Sequence, residues 1–96
     1  MSDRAPVTVS DDREKSRFEA VDESGVVAGF AAYRREGDRV VFTHTEVDDA
    51  FEGRGVGSVL VRTALDAVRE EGLRVVAQCP FVRSFIQDHP EYADLT

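Results

Sequence analysis

The chain has 96 residues and carries 12 Lys+Arg against 19 Asp+Glu, a formal net charge of −7. That length holds one small domain and excludes any fold needing ~200 residues or more, such as a full (β/α)8 barrel. The acidic balance argues against a nucleic-acid grip, which wants a basic face, and against docking on anionic lipid.

Residues 1–6 read as a flexible end, and residues 7–96 as a single domain. Residues 7–9 form a short edge strand, followed by a polar turn over residues 10–15. Arg17–Asp22 alternates with period two, Phe18 and Ala20 on one face and Arg17, Glu19 and Val21 on the other, which predicts a strand. Asp22-Glu23-Ser24-Gly25 supplies a turn with Gly free to take φ > 0. Residues 26–34 are apolar on both faces, as expected of a central strand. After a second Gly turn, Arg39–Val47 alternates again, placing Val40, Phe42, His44 and Glu46 on one face. Three strands joined by short turns make an antiparallel meander.

The period then becomes helical. Val56, Val59, Leu60, Thr63, Ala64, Ala67 and Val68 recur at i, i+3, i+4, and Gly72 stops the helix. Residues 73–78 read as a buried strand, reached by a crossover long enough for a parallel βαβ unit. Pro80 opens a second helix with Cys79 as its cap, Val82, Phe85, Ile86 and His89 form its apolar stripe, and Pro90 ends it. The fold class is α+β: a mostly antiparallel sheet with one βαβ crossover and two helices on the sheet. Phe42, Phe81 and Phe85 are read as core.

One cysteine cannot form an internal disulfide, and Cys79 with His44 and His89 is too few ligands for a structural zinc site. No metal site is expected. No signal peptide or membrane-spanning run is visible in the sequence, and the lone thiol suits a reducing compartment, so the protein is expected to be soluble and cytoplasmic.

The most informative stretch is Glu52-Gly53-Arg54-Gly55-Val56-Gly57-Ser58, at a strand-to-helix junction. Glycines let backbone approach a ligand, and the unpaired N–H groups at a helix start favour an anion such as phosphate. A P-loop is excluded because no Lys follows the last Gly, and a dinucleotide fingerprint lacks its third Gly and its distal acid. What remains is Gly-x-Gly at a β-to-α junction. It resembles the pyrophosphate loop of GNAT-superfamily N-acetyltransferases, Arg/Gln-x-x-Gly-x-Gly/Ala. Together with His44-Thr-Glu-Val47, Cys79-Pro-Phe-Val82 and His89-Pro-Glu-Tyr92, it resembles the small, single-domain GNAT-like family over about residues 7–95.

The resemblance implies a truncated GNAT fold and binding of acetyl-CoA or coenzyme A. Val47 would offer main-chain groups to the pantetheine arm, and the N–H groups of Gly53, Arg54, Gly55, Val56, Gly57 and Ser58 would cradle the pyrophosphate. Glu52 holds the position where the superfamily has Arg or Gln, and Glu46, Asp48, Asp49 and Glu52 put four acids in seven residues ahead of the loop.

Acetyl transfer from a thioester to an amine needs a base for the amine, a donor to the thioester oxygen and a proton for the leaving thiolate. Cys79 is the first side-chain candidate, at a strand exit and before a helix start, a setting that favours thiol reactivity; a buried, inert cysteine is the alternative. In the small family the matching Cys is a proposed catalytic residue. His44 is a candidate base or a core-facing histidine, and Glu46 is kept because GNAT enzymes often carry a general-base Glu in this strand. His89 reads as packing, and Tyr92 as a phenol that could approach the thiol end of the cofactor.

The chain is short of the N-terminal helices and C-terminal hairpin that wall the acceptor pocket in larger GNAT enzymes. The pocket would then be completed by a second copy (a homodimer) or another partner, or the acceptor would be broad. The charge favours a cationic small-molecule amine or a basic peptide as acceptor. Three functions are open at this stage: an acetyl-CoA-dependent N-acetyltransferase, a non-catalytic CoA-binding module, and an α+β interaction domain whose loop binds nothing.

Overall fold

Alternating apolar runs joined by short turns fold the first half of the chain into a meander. A computed structural model describes residues 7–53 and 55–96; residues 1–6, read above as a flexible end, and Arg54 lie outside the described residues. The strands are β1 (Val7–Asp12), β2 (Arg17–Asp22), β3 (Val27–Glu36) and β4 (Arg39–Val47), each antiparallel to the next. A 3-10 turn (Asp49–Phe51) leads to helix α1 (Val56–Glu70), which crosses to β5 (Arg74–Ala77), parallel to β4. Helix α2 (Pro80–Asp88) and a second 3-10 segment (Pro90–Leu95) close the fold. The sheet order β1-β2-β3-β4-β5 is the sequence order, which confirms the α+β class. No helix among the described residues is long and apolar enough to cross a membrane.

Several boundaries differ from expectation. β1 runs on through Ser10, Asp11 and Asp12, where the polar composition suggested a turn, because those backbones pair in register with Glu19, Phe18 and Arg17. Edge-strand side chains can stay polar while their backbone completes a ladder. β3 likewise continues to Glu36, which pairs with Arg39. β5 stops at Ala77 because its pairing with β4 stops there: the ladder covers only Arg39 to Phe42, while β4 itself runs on to Val47. On α1, the fully buried stripe is Val56, Gly57, Leu60, Val61, Ala64, Leu65 and Val68, so Val61 and Leu65 replace the expected Val59, Thr63 and Ala67 as the face turned to the sheet.

That stripe packs on Phe18, Ala20, Ala31, Tyr33, Val40 and Phe42 of the sheet, with Val82 and Phe85 of α2 completing the cluster. Leu60 and Leu65 are fully buried, and truncating either to Ala would cost about 2–5 kcal/mol. The C-terminal segment is tied to α1. The Tyr92 hydroxyl donates to Asp66 at 2.8 Å, and Arg69 makes a bidentate pair with Asp94 at 2.8 and 2.9 Å. At the other end of the sheet the Tyr33 hydroxyl donates to Asp11.

Burial, reinforced by the Asp66 hydrogen bond, raises the Tyr92 phenol above its usual 10.0. Burial and the Asp11 bond raise Tyr33 in the same direction. A raised folded pKa means stability that is fully present below the unfolded value and lost as pH rises through the folded value. We therefore expect the melting temperature to fall steeply above about pH 10. The Tyr33→Phe/Tyr92→Phe variant should melt lower at neutral pH, by about 1 kcal/mol per lost hydrogen bond, yet show a flatter alkaline limb. Parallel alkaline limbs in the two proteins would contradict this assignment.

Candidate active site

The site is made where β4 and β5 part. Phe42 is the last residue of β4 paired with β5, and its carbonyl accepts from both Gln78 N–H at 3.1 Å and Cys79 N–H at 3.0 Å. Beyond it β4 continues alone on that side while β5 turns away into α2. Asp48 N–H bonds the Ala28 carbonyl on the β3 side at 2.8 Å. Because successive strand N–H groups point to alternate sides, Val47 N–H faces the open edge.

A bulge decides which side chains meet there. In the β3–β4 ladder Ala32 pairs with His44 but Tyr33 pairs with Phe42, so Thr43 is an extra residue. Side chains beyond it therefore exchange faces. Thr45 pairs with Ala31 and Val47 with Gly29, on the helix-covered face with Phe18 and Ala20. His44 and Glu46 fall on the second face, beside Phe30. This corrects the expectation that His44 and Glu46 continue the face of Val40 and Phe42; the alternation is broken by one residue.

On the helix-covered face lies a cavity of about 340 Å³ lined by Thr45, Val47, Phe51, Glu52, Gly53, Gly55, Val56, Gly57, Ser58 and Phe81. Its volume falls within the ~300–1,000 Å³ range of small-molecule sites. Gly53 and Gly55 take the left-handed conformation at φ 79° and 76°, which turns the chain sharply into α1. Gly55 is the N-cap and offers no side-chain cap, so the N–H groups of the first turn, from Val56 to Ser58, are left to a ligand or water. Of the residues expected to hold coenzyme A, Val47, Gly53, Gly55, Val56, Gly57 and Ser58 are together here; Arg54 lies outside the described residues. The cradle suits a pyrophosphate by geometry, with Glu52 at its rim opposing by charge.

Phe81 was read as core and is not: it is 42% exposed, and it walls the cavity. A Cβ on Gly57 would sit 2.6 Å from its Cζ, so the ring rests on the bare glycine. The sequence held a hint, since Phe81 falls off the Val82–Phe85–Ile86–His89 stripe. Thr45 was missed for a different reason, because nothing in the sequence announces the Thr43 bulge.

Cys79 is buried at the cap of α2 and does not line the cavity. Its Sγ donates to Thr45 Oγ1 at 3.3 Å, and Thr45 does line it. On the second face His44 Nε2 and Glu46 Oε2 lie 2.6 Å apart, both side chains more than half exposed. The three candidate catalytic residues are thus divided between the two faces of β4. His89 stacks on Phe85 with ring centroids 4.0 Å apart and its Nδ1 is 2.8 Å from the Phe85 carbonyl, a packing role. Tyr92 spends its hydroxyl on Asp66 of α1 and not on the cavity.

Comparison with known proteins agrees with this geometry. Residues 17–95 match the family model described as GCN5-related N-acetyl-transferase. The chain is 35% identical over 86 residues to protein NATD1 of Bos taurus, covering 88% of this chain and 76% of that one. It is 39% identical over 64 residues to a streptothricin acetyltransferase of Streptomyces lavendulae, covering 65% of this chain and 34% of that one. The solution structure of a GCN5-like protein from Staphylococcus aureus superposes with a TM-score of 0.70 at 24% identity, over 99% of this chain and 89% of that one, which speaks for the fold. The chain belongs to the GCN5-related N-acetyltransferase family.

Proposed function

We propose that the protein is an acetyl-CoA-dependent N-acetyltransferase acting on an amine. The observation that carries this reading is the cavity that joins the uncapped start of α1 to the open edge of β4. It offers an anion cradle at one end and backbone donors at the other, as a thioester of a pyrophosphate-bearing cofactor requires.

The chain's own groups then divide the proton work. Val47 N–H at the open edge holds the pantetheine arm. His44, oriented by Glu46, takes the proton from the acceptor amine on the second face. The freed nitrogen lone pair adds to the thioester carbon to form the C–N bond, and as the C–S bond breaks its electron pair goes to the coenzyme A sulfur. Thr45 Oγ1 delivers its proton to that sulfur and is refilled by the Cys79 S–H; the thiol is restored along the same path, through Thr45, once product has left the cavity. Cys79 thus acts through Thr45, as a positioning and proton-supplying residue behind the cavity wall. The streptothricin acetyltransferase relative supports acyl transfer to a small molecule as the reaction class.

One observation favours a second reading, a CoA-binding module without turnover: acidic Glu52 stands at the cradle rim. The test is release of coenzyme A from acetyl-CoA with a panel of amines and basic peptides. Release above the no-acceptor background supports the enzyme, and none with any acceptor overturns that reading.

A further inference from the structure

The second face of the sheet holds a cavity of its own, about 220 Å³, formed by Arg17, Val27, Phe30, Glu46 and Asp48 with the backbone of Ala28 and Gly29. Successive residues of β4 and its exit divide between the two cavities: Thr45 and Val47 line the first, Glu46 and Asp48 the second. The Phe30 ring forms the apolar wall. It already carries a cation, since the Arg17 guanidinium lies 4.6 Å from its centroid, and the His44 ring sits 6.0 Å away. Arg17 is matched by Glu19 at 2.7 Å, so its charge is spent locally. The Glu46 and Asp48 carboxylates, the first 2.6 Å from His44 Nε2 and the second accepting from Ala50 N–H at 2.9 Å, set the sign of the cavity as negative. Exposed Val27 gives it an apolar rim.

We propose that this cavity anchors the acceptor, and that the acceptor is a linear polycationic amine with an apolar spacer between its nitrogens. The inference rests on the acetyltransferase reading and names its substrate class. One ammonium lies between the Phe30 wall and the Glu46 and Asp48 carboxylates; the spacer runs over His44; the second nitrogen reaches the open edge of β4. From β3 to that edge is one to two strand spacings, roughly 5–10 Å, too far for a single small amine to be both anchored and acetylated. Two nitrogens on one chain meet both demands. Aromatic and acidic walls together select ammonium over neutral groups.

The experiment uses the whole protein and spermidine, with n-propylamine as a single-cation control. Amide shifts are mapped by NMR, and acetyl-CoA turnover is followed in parallel. Spermidine should shift Val27, Gly29, Phe30 and Glu46, n-propylamine should do so at least about five-fold more weakly, and Phe30→Leu should weaken spermidine about five-fold while leaving the acetyl-CoA shifts in place. If those shifts appear without turnover, the cation site stands and the acetyltransferase reading falls. If turnover with spermidine occurs while the second face does not shift, the proposed anchor is overturned and the acetyltransferase reading stands. Shifts confined to Asp49 and Glu52 would also overturn it. The map on the unsubstituted protein decides the matter even where Phe30→Leu fails to fold.

Discussion

Gly57→Ala is expected to lower acetyl-CoA affinity about ten-fold, near 1.4 kcal/mol, without destabilising the fold. The two effects have separate causes. The new Cβ would lie 2.6 Å from Phe81 Cζ, closer than carbon atoms can rest, and 3.3 Å from Cε2, a tight contact. The obstructing atoms are the far end of an exposed side chain, so the ring can swing away at little cost. Alanine is also the better helix former by ~0.5–1 kcal/mol, so the melting temperature should hold or rise. But Phe81 walls the cavity, and the displaced ring alters the space in which the cofactor arm lies. Phe81→Ala added to Gly57→Ala removes the obstruction and should recover affinity at least about three-fold, since contacting residues couple. Isothermal titration with coenzyme A and a thermal melt of each variant check this. A large fall in melting temperature with unchanged affinity would mean that Gly57 serves packing alone.

Thr45→Val and Cys79→Ala should each reduce turnover about 100-fold, the lower range for loss of a proton-transfer group, while coenzyme A affinity stays within about three-fold. Because the two act as one relay, the double variant should be no slower than either single one. Valine keeps the shape of Thr45 and removes its hydroxyl, which severs the 3.3 Å link from Cys79 to the cavity. Cys79→Ser retains a donor and should keep more activity than Cys79→Ala. The contrary result is specific: a fully active Thr45→Val beside an inactive Cys79→Ala would show that the thiol reaches substrate itself. A mass gain of one acetyl on Cys79 in the unsubstituted protein would then identify a covalent intermediate.

These expectations show where local sequence was enough. Period-two runs and short turns placed β2 and most of β3 and β4, and the 3.6-residue stripe with Gly72 placed α1. The glycine run at Gly53–Ser58 located the cradle because the requirement there is on the backbone, and glycine states it openly. What depended on tertiary pairing was not legible. The Thr43 bulge arises from how β3 and β4 close their ladder, and a one-residue slip sends every following side chain to the other face. It therefore moved Thr45 to the cavity and His44 and Glu46 away from it. The extension of β1 through Asp11 and Asp12 came likewise from a partner strand, against the local composition. The burial of Val61 and Leu65 in place of Val59 and Ala67 was a matter of helix rotation against the sheet, which an apolar helix with two acceptable stripes does not settle alone.

Acetyl-CoA bound along the uncapped start of α1 and the open edge of β4 is read out by an amide NMR titration of the whole protein with acetyl-CoA. Saturable shifts are expected at Gly53, Gly55, Val56, Gly57 and Ser58 together with Val47, with little movement at Val27 and Phe30 on the second face. A spectrum in which the Gly53–Ser58 and Val47 amides stay fixed as acetyl-CoA is raised to millimolar concentration would contradict it.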